Sequence, residues 1–464
     1  MRNQGATGPK PGSLDLSVQS ATPLEIQTAK LVLMQQVRPL PFQNFNNYRR
    51  LPPTNRNLLH AAVAAHFDRV HADGWWKNTF KYSKRWLFRV PWEIVFSVWH
   101  HGTRARRAYG KSVPRQIQEI IWLYVANGLG PDDYYMGGLA TRDASAQMQM
   151  VPYWKYRDAV LFCMGVDTSS KELQRIRSKH WLAEDVRNAG GNAPKTLALI
   201  DPNVPKEDGG QGQINQSFFV KPDRGNKGNH AERWTLEGEK FLLAERDLAV
   251  PKDQIIDHLY NKAVEIDGTL VVQEVIENSD AMRAWAGTPL ATTRIDSCRT
   301  PDGEITIGRA FLRMASDANA SVDNLSRGGT GFNIEIDSGL LGPGFTDLSF
   351  GPVDYTSRSP ATGEVITGQT VPQWDEAVDM VKHLHKTLSD LPVIGWDIGF
   401  SPDGPSIVEA NVPTGIHITN QSAEGGFYNT PLADCLARCI VKRLHETQSK
   451  GSRFLVGAER PPDK

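Results

Sequence analysis

The stretch GWDIGFSPDGPSIVEANVPTG, residues 395–415, predicts a tight β-hairpin. Its centre, SPDGP, has the Pro-Asp-Gly order that is typical of a reverse turn. With Asp403 at the centre of the turn, antiparallel pairing places Asp397 opposite Glu409, six residues away on either side. Asn411 lies on the same strand face as Glu409, because side chains alternate with a period of two. The three oxygen-bearing side chains are therefore expected to meet on one patch.

The residues around this patch are mostly apolar, which favours a buried hairpin. Two buried carboxylates without a cation would repel each other, and at least one would take up a proton. Carboxylate and amide oxygens are hard ligands of the kind that Mg²⁺ prefers, together with substrate phosphates and water. The pattern therefore favours a metal site at Asp397, Glu409 and Asn411. The alternative is an exposed hairpin that carries ordinary surface acids.

The whole chain has 464 residues, of which 40% are hydrophobic, enough for two or three domains with their own cores. Lys and Arg total 52, as do Asp and Glu, so no global field attracts nucleic acid or membranes. The four cysteines are too few and too scattered for a disulfide framework. No apolar run approaches the ~18 residues that a membrane span needs. These features predict a soluble, reduced, cytoplasmic protein that does not bind nucleic acid.

The composition and the spacing of apolar residues change along the chain and predict four regions. Residues 1–25 are rich in Gly, Pro, Ser and Thr and are expected to be disordered. Residues 26–175 have helical spacing, as in NRNLLHAAVAAHFDRV, and form the expected N-terminal helical domain. Residues 176–445 mix helical patterns with short β-rich runs, and 446–464 form a polar tail. The β-rich runs are KTLALI, SFFVKP, TLVVQEVI, EITIGRAFLRM and SIVEAN.

Residues 75–115 are crowded with Trp, Lys and Arg. One interpretation is a membrane-surface helix, because cations and aromatic side chains suit anionic headgroups. A second is a cradle for an anionic ligand such as a nucleotide-linked sugar. A third is a helical domain that packs its aromatic side chains in a core while Lys and Arg reach solvent. Pro91 and Glu93 interrupt the apolar run, which excludes a buried membrane span.

Three further segments carry lysine or glycine where a nucleotide can bind. In SFFVKPDRGNKGNHAERW, residues 217–234, a strand ends at Lys221 and opens a glycine-containing loop. Lysine suits a phosphate oxygen, and glycine lets backbone N–H groups approach phosphate closely. The spacing is not that of a Walker A loop. Lys179 opens a helix that ends at Gly190-Gly191, and the strand TLVVQEVI ends at Gln273-Glu274-Val275, where a heterocycle edge can lie.

In this order, the four motifs resemble the ATP-grasp superfamily, and the C-terminal part is most similar to its sugar-transfer-associated, α-L-glutamate-ligase-related group. The resemblance covers residues 175–445 and is most specific in the hairpin. It implies an α+β, ATP-grasp fold in which two α+β subdomains clasp ATP, preceded by a mostly helical N-terminal domain. The lid-bearing subdomain would span about 176–275, and the metal- and substrate-binding subdomain 276–445.

The resemblance also implies roles for individual residues. ATP would be bound through its phosphates by two lysines, beneath a glycine lid, with adenine and ribose at a hinge: Lys179, Lys221, Gly225, Gly228, Gln273, Glu274 and Val275. Two arginines would face the transferring phosphate, and a loop would bind substrate: Arg294, Arg313, Asn324, Gly328 and Gly329. The ligands of Mg²⁺, or of Mn²⁺ in its place, would be Asp397, Glu409 and Asn411. The lid departs from the family pattern because DRGNKGNHAER carries additional charge.

The activity that the resemblance implies is an ATP-dependent carboxylate–amine ligase acting through an acyl phosphate, in surface polysaccharide or sugar-conjugate biosynthesis. Its partners would be small-molecule carboxylates and amines, and a homodimer is compatible with the sequence. An ATP-grasp kinase that phosphorylates a hydroxyl would use the same nucleotide residues. A third hypothesis is a nucleotide-binding scaffold held at the inner face of the membrane through residues 75–115.

Overall fold

The computed structural model of the chain describes residues 54–70, 75–165, 170–204, 214–225, 230–243, 246–315, 329–346, 355–416, 421 and 424–449. Three of the predicted site residues lie outside these ranges: Gly228, Asn324 and Gly328. The segment 1–25, which is expected to be disordered, lies outside them as well. Of the predicted tail 446–464, residues 446–449 are described and continue the last helix.

Within the described residues, eight α-helices precede the first strand, as the helical spacing predicts. They are α1 (Asn55–Val70), α2 (Trp75–Tyr109), α3 (Val113–Asn127), α4 (Pro131–Met136), α5 (Ala144–Gln147), α6 (Tyr153–Met164), α7 (Lys171–Arg177) and α8 (Lys179–Asn188). Helix α2 is continuous over 35 residues, with Pro91 inside it. The proline that interrupts the apolar run therefore does not end the helix.

The first sheet has six antiparallel strands in the order β1-β6-β2-β3-β4-β5. Its strands are β1 (Thr196–Ile200), β2 (Phe218–Pro222), β3 (Glu232–Glu237), β4 (Lys240–Leu243), β5 (Leu248–Pro251) and β6 (Leu270–Glu274). Phe218 and Val220 on β2 belong to the core that includes Leu259 of helix α9 (Ile255–Glu265). Phe219 and Lys221 point to the opposite face, because side chains alternate along a strand. That second face is the one that borders the candidate site.

The second sheet has seven strands in the order β11-β10-β9-β8-β7-β12-β13. Helix α10 (Asp280–Ala286) precedes this sheet in the chain. The strands of the sheet are β7 (Thr292–Arg299), β8 (Ile305–Met314), β9 (Thr330–Ile334), β10 (Leu341–Thr346), β11 (Tyr355–Thr356), β12 (Val393–Ser401) and β13 (Gly404–Asn411). Helix α11 (Trp374–Leu388) precedes β12, and helix α12 (Pro431–Ser449) follows β13. All nine residues of β12 are buried, because the strand lies between β7 and β13. The predicted α+β class is confirmed.

The helices at the two ends of the described chain pack together. Residues of α1, α6 and α12 belong to the same apolar core as the seven-stranded sheet. Asn55 donates to the carbonyl oxygen of Tyr428 at 3.0 Å, and the side chain of Gln421 bonds both backbone groups of Val151. A separate small core contains Ala105 of α2 and Ile120 of α3. The domain boundaries predicted from the sequence stay predictions.

Candidate active site

The hairpin β12–β13 pairs Asp397 with Glu409 as expected, but through a register shift: Ser401 pairs with Gly404 at the turn, and the shift lies between Asp397 and Ile398. Gly395 pairs with Asn411. The amide nitrogen of Asn411 lies 3.5 Å from Oδ2 of Asp397 and 3.2 Å from Oε1 of Glu409. The three side chains therefore converge on one patch. They differ in exposure: the side chain of Asp397 is 3% exposed, whereas that of Glu409 is 30% exposed.

Asp397 is held between two arginines of the neighbouring strands. Arg294, its direct neighbour on β7, donates to Oδ1 at 2.5 Å and to Oδ2 at 3.0 Å. Arg313, at the end of β8, lies 3.1 Å from Oδ2. Burial alone would raise the pKa of Asp397, but the two guanidinium groups outweigh it and hold the pKa well below its usual range. Asp397 is therefore a permanent carboxylate that orients both arginines.

A second pair of cations connects the two sheets. Lys221 at the end of β2 donates to the carbonyl oxygen of Val408 at 3.3 Å. Lys179 donates to the carbonyl oxygen of Gly225 at 3.1 Å, and its Nζ lies 3.9 Å from Oε2 of Glu409. Burial, followed by repulsion from Lys179, lowers the pKa of Lys221 to about 8. Two lysines with few compensating contacts at a cleft are suited to an anionic ligand.

The start of helix α8 fixes the position of Lys179. Ser178 is the N-cap of this helix, since its side chain accepts a bond from the backbone N–H of Trp181. One carboxylate oxygen of Asp223 accepts from the Ser178 hydroxyl and from the His180 N–H, both at 2.9 Å. Asp223 therefore ties the loop after β2 to the helix end, where the helix dipole favours an anion. Sequence reasoning missed Asp223, although its place after Lys221-Pro222 is a usable signal.

The site-facing surface of the first sheet carries a buried amide. Gln273 on β6 pairs with Phe219 on β2, so it shares the face of Lys221. Gln273 is 1% exposed, and neither atom of its side-chain amide has a hydrogen-bond partner among the described residues. Such a group is costly unless a ligand satisfies it. Glu274 ends the strand and accepts from the Lys195 N–H at 3.0 Å, and Val275 follows directly.

The remaining predicted glycines in the described chain lie near these groups. Gly225 has a φ of +154°, a conformation that favours glycine, and its carbonyl oxygen is the acceptor for Lys179. Gly329 is buried and directly precedes β9, the strand that pairs with Arg313. Gly395 has no room for a side chain, because a Cβ there would collide with Thr414. Side-chain and backbone contacts join Lys179, Lys221, Gly225, Arg294, Arg313, Asp397, Glu409 and Asn411, whereas Gln273, Glu274, Val275 and Gly329 are placed by their strands only.

A polar chain behind Arg294 was not predicted. Arg294 Nη1 donates to the hydroxyl of Thr414 at 3.0 Å, and this hydroxyl donates to Oδ1 of Asp296 at 2.7 Å. Burial raises the pKa of Asp296 above its ordinary value, although Arg309 and Arg294 oppose the shift. These contacts hold the Arg294 guanidinium in place. No sequence signal places Thr414 beside Arg294, which is 120 residues earlier in the chain.

The donors in the cluster fit a cation that also binds phosphate. Among the described residues, no group of three or more His, Cys, Asp or Glu side chains has the arrangement of a metal site. Mg²⁺ needs fewer protein ligands, since it commonly takes one or two carboxylates and completes its shell with phosphates and water. Glu409 and the oxygen of Asn411 meet that requirement, while both oxygens of Asp397 face arginines.

The cluster concentrates several cations in a buried place. Four cations lie among three carboxylates, with Asp296 behind Arg294 as a fourth acid: Lys179, Lys221, Arg294 and Arg313 beside Asp223, Asp397 and Glu409. Burial strengthens the attraction of these cations for an anion, because the local dielectric constant is low. The arrangement therefore has the charge, the hydrogen-bond donors and the metal ligands to bind a polyphosphate chain.

The chain belongs to the sugar-transfer associated ATP-grasp family, whose model matches residues 169–430, more than half of the 464 residues. The two sheets and the cleft between them are therefore an ATP-grasp fold, as the order of the motifs predicts. No curated protein matches the sequence.

Several solved structures are similar in fold. The VanG D-Ala:D-Ser ligase from Enterococcus faecalis is 14% identical with a TM-score of 0.33, over 57% of this chain and 62% of that one. The D-alanine–D-alanine ligase from Bacillus anthracis is 10% identical with a TM-score of 0.34, over 60% and 71%. The N5-carboxyaminoimidazole synthetase from Staphylococcus aureus, complexed with ADP, is 11% identical with a TM-score of 0.33, over 59% and 54%. The chain thus spans less than two thirds of the first and third of these proteins.

Proposed function

We propose that this protein is an ATP- and Mg²⁺-dependent carboxylate–amine ligase that acts through an acyl phosphate. The single observation that supports the proposal most is the buried cluster in which Lys179, Lys221, Arg294 and Arg313 surround Asp397 and Glu409. Such a cluster is unfavourable for folding unless it binds an anion, and family membership makes ATP the expected anion.

The nucleotide is proposed to bind between the two sheets. Lys179 and Lys221 neutralise the phosphates, and the backbone around Gly225 approaches them from the first sheet. The free amide of Gln273, with Glu274 and Val275 beside it, faces the adenine and ribose. Lys179 and Lys221 are preorganised by their bonds to the carbonyl oxygens of Gly225 and Val408, so they need little reorganisation when ATP binds.

The reacting end of the site is proposed to lie on the second sheet. Glu409 and Asn411 would hold Mg²⁺, for which Mn²⁺ is a substitute, whereas Asp397, which the sequence also suggested as a ligand, has both oxygens on arginines. The ion would neutralise charge on the transferring phosphoryl group. Arg294 and Arg313 stabilise that charge as well, and Asp397 keeps both guanidinium groups aimed at it. In-line transfer to a carboxylate oxygen then gives an acyl phosphate and ADP.

The second step is attack by an amine on the acyl phosphate. A carboxylate is a poor electrophile, but phosphate is a good leaving group once the carboxyl carbon is activated. Arg294 stabilises the negative charge that develops on the carbonyl oxygen, and the buried cluster excludes water that would hydrolyse the intermediate. The products are an amide, ADP and phosphate. Asn324, Gly328 and Gly329 are proposed to contact the substrates.

The proposed biological setting of this reaction rests on the description of the family alone. The description of the family supports a role in surface polysaccharide or sugar-conjugate assembly. We place the reaction in the cytoplasm, where ATP is supplied. A homodimer is compatible with this function but does not enter the chemistry.

Phosphorus NMR of the purified protein with ATP, Mg²⁺ and a small-molecule extract of its host tests the proposal. We expect ADP and free phosphate to appear only when the extract is present. Glu409→Gln should abolish this turnover while the far-UV circular dichroism stays unchanged, because Glu409 lies at the edge of the cluster. ADP with a new phosphoester and no free phosphate would contradict the ligase and identify a kinase. Full turnover by Glu409→Gln would contradict the metal assignment.

A further inference from the structure

Helix α2 exposes large apolar side chains along one face. The exposed fractions are 67% for Phe88, 73% for Trp92, 59% for Val95, 59% for Phe96 and 76% for Trp99. The five residues follow the spacing i, i+4, i+7, i+8 and i+11, which places them on a single face of an α-helix. We refer to them as the α2 stripe. Isolated exposed apolar residues are ordinary, whereas a contiguous patch marks an interaction surface.

The opposite face of the same helix is packed against the protein. Val90 and Ala105 are 6% exposed, and Ala105 lies in the small core formed with α3 and the segment that follows it. Ile94 and Val98 pack against that core as well. Helix α2 is therefore attached to the fold through one face, and the α2 stripe points away from it. On the next helix, Ile121 and Trp122 are also exposed, at 48% and 55%.

The charge around the α2 stripe is strongly positive. Residues 75–115 contain ten Lys and Arg residues and a single acid, Glu93. Glu93 forms an ion pair with Arg89 at 2.7 Å. Arg104, Arg106 and Arg107 are exposed in the last turns of the helix. An exposed aromatic row followed by arginines has the composition of helices that lie in the interface of an anionic bilayer.

We propose that the α2 stripe docks this protein on an anionic membrane surface. In this arrangement α2 lies in the plane of the bilayer, with its aromatic rings at the level of the headgroups. Arg106 continues the face of the α2 stripe and Arg107 lies at its side, so these two contact the anionic lipids, whereas Arg104 lies on the other side of the helix. None of the described helices has the length and apolar content needed to cross a bilayer. The docking is independent of the ligase chemistry and does not rest on it.

The distribution of charge argues against a second copy of the chain as the occupant. A two-fold symmetric contact brings the same surface of both copies together. The segment SKRWLFR, residues 83–89, is cationic, and so is the segment RARR, residues 104–107. A symmetric pairing of two α2 helices side by side therefore opposes cationic segments to cationic segments, which is unfavourable. An anionic lipid surface satisfies both ends of the helix.

Co-sedimentation of the full-length protein with vesicles tests the proposal. One set of vesicles is an equal mixture of phosphatidylcholine and phosphatidylglycerol, and the other is phosphatidylcholine alone. We expect the protein to sediment with the mixed vesicles, less so as the salt concentration rises. Replacing Arg106 and Arg107 with glutamine should weaken binding about 25-fold, at roughly fivefold for each cation near an anionic surface, whereas Arg104→Gln should have a smaller effect.

A separate variant tests whether the aromatic side chains of the α2 stripe contribute to membrane binding. Trp92→Ser combined with Trp99→Ser should weaken binding about tenfold or more, since both rings lose their apolar contact with the bilayer. The matched control is Val264→Ser, because Val264 is 54% exposed on α9, whose core belongs to the six-stranded sheet and not to α2. It should bind like the unaltered protein. Circular dichroism and ATP binding of each variant exclude unfolding as the cause.

Three results would overturn the proposal. The first is that the full-length protein fails to sediment with the anionic vesicles. The second is that the protein is a dimer by light scattering and becomes a monomer in the Trp92→Ser, Trp99→Ser variant, which would assign the α2 stripe to a second copy. The third is binding only after residues 1–53 are deleted, which would assign the surface to that segment of the chain.

Discussion

The β12–β13 hairpin and helix α2 depart from the usual division of polar and apolar residues in opposite directions. The hairpin and its neighbours bury charge, for Asp397, Arg294 and Lys221 are all less than 10% exposed. Helix α2 exposes aromatic residues, with Trp92 and Trp99 more than 70% exposed. Ordinary folding favours neither arrangement. Our two proposals give each departure a ligand of matching chemistry, an anion for the hairpin cluster and a lipid surface for helix α2.

The comparison predicts the largest loss of stability at Asp397. Asp397→Ala leaves Arg294 and Arg313 buried without their carboxylate, so the free energy of unfolding should fall by about 3–5 kcal/mol. Urea unfolding followed by circular dichroism measures the change. The control is Asp403→Ala, an exposed acid in the turn of the same hairpin, which should change the free energy by less than about 1 kcal/mol. Equal effects of the two substitutions would show that Asp397 is not an essential counterion.

Lys221 is predicted to lower the stability of the fold and to be required for ATP binding. Lys221→Met removes a buried ammonium group whose pKa is lowered to about 8, so the free energy of unfolding should rise by roughly 1–3 kcal/mol at pH 7. ATP binding, measured by calorimetry, should be lost in the same variant. The matched control is Lys240→Met on an exposed position of β4, which should change neither quantity. A destabilised Lys221→Met variant would contradict this account of the cluster.

The pH dependence of stability separates the same two lysines. The ordinary pKa of lysine is 10.5, so between pH 8 and 10.5 the unfolded chain keeps a proton that folded Lys221 has released. Stability therefore rises with pH across this window and carries its full penalty below pH 8. The rise should be present in the unaltered protein and in Lys240→Met, and smaller in Lys221→Met.

The smallest effect on stability is expected in the α2 stripe. Trp92→Ser and Trp99→Ser should each change the free energy of unfolding by less than about 0.5 kcal/mol, because both side chains contact mainly solvent. Trp234→Ala, at a fully buried tryptophan, should cost about 3–5 kcal/mol. A comparable loss in the α2 stripe would mean that these residues pack inside the protein, and the contrast between the two regions would disappear.

The hairpin could be predicted from the sequence because its determinants are local. The turn starts the pairing at Ser401 and Gly404, and a register shift between Asp397 and Ile398 then places Glu409 opposite Asp397. The arginines that flank Asp397 could not be predicted from pattern alone. Arg294 is 103 residues away in the chain, and its pairing with Asp397 depends on how β7 and β12 align. The charge balance of the site is thus a property of the assembled sheet.

Helix α2, unlike the hairpin, could be predicted as a helix but not in the way that it packs. The helical spacing and the cationic character of residues 75–115 are visible in the sequence, but they leave three interpretations open. Which face packs depends on the small core around Ile120 and Tyr134, which forms only when α2 meets α3 and α4. The structure shows that Val98 and Ala105 face that core and that Trp92 and Trp99 are exposed. The exposure of the aromatic side chains, rather than the composition of residues 75–115, distinguishes a membrane-surface helix from a helix that packs its aromatic residues in a core.

The measurement that tests the central claim most directly is calorimetric titration of ATP into the protein, with and without Mg²⁺, for the unaltered chain and Glu409→Gln. We expect ATP to bind the unaltered chain at least about tenfold more tightly with Mg²⁺ than without it, because the ion bridges Glu409 and the phosphates. Glu409→Gln should retain the weaker binding and lose the enhancement. ATP that fails to bind, or an enhancement that survives in Glu409→Gln, would contradict the claim that this cluster is a metal–nucleotide site.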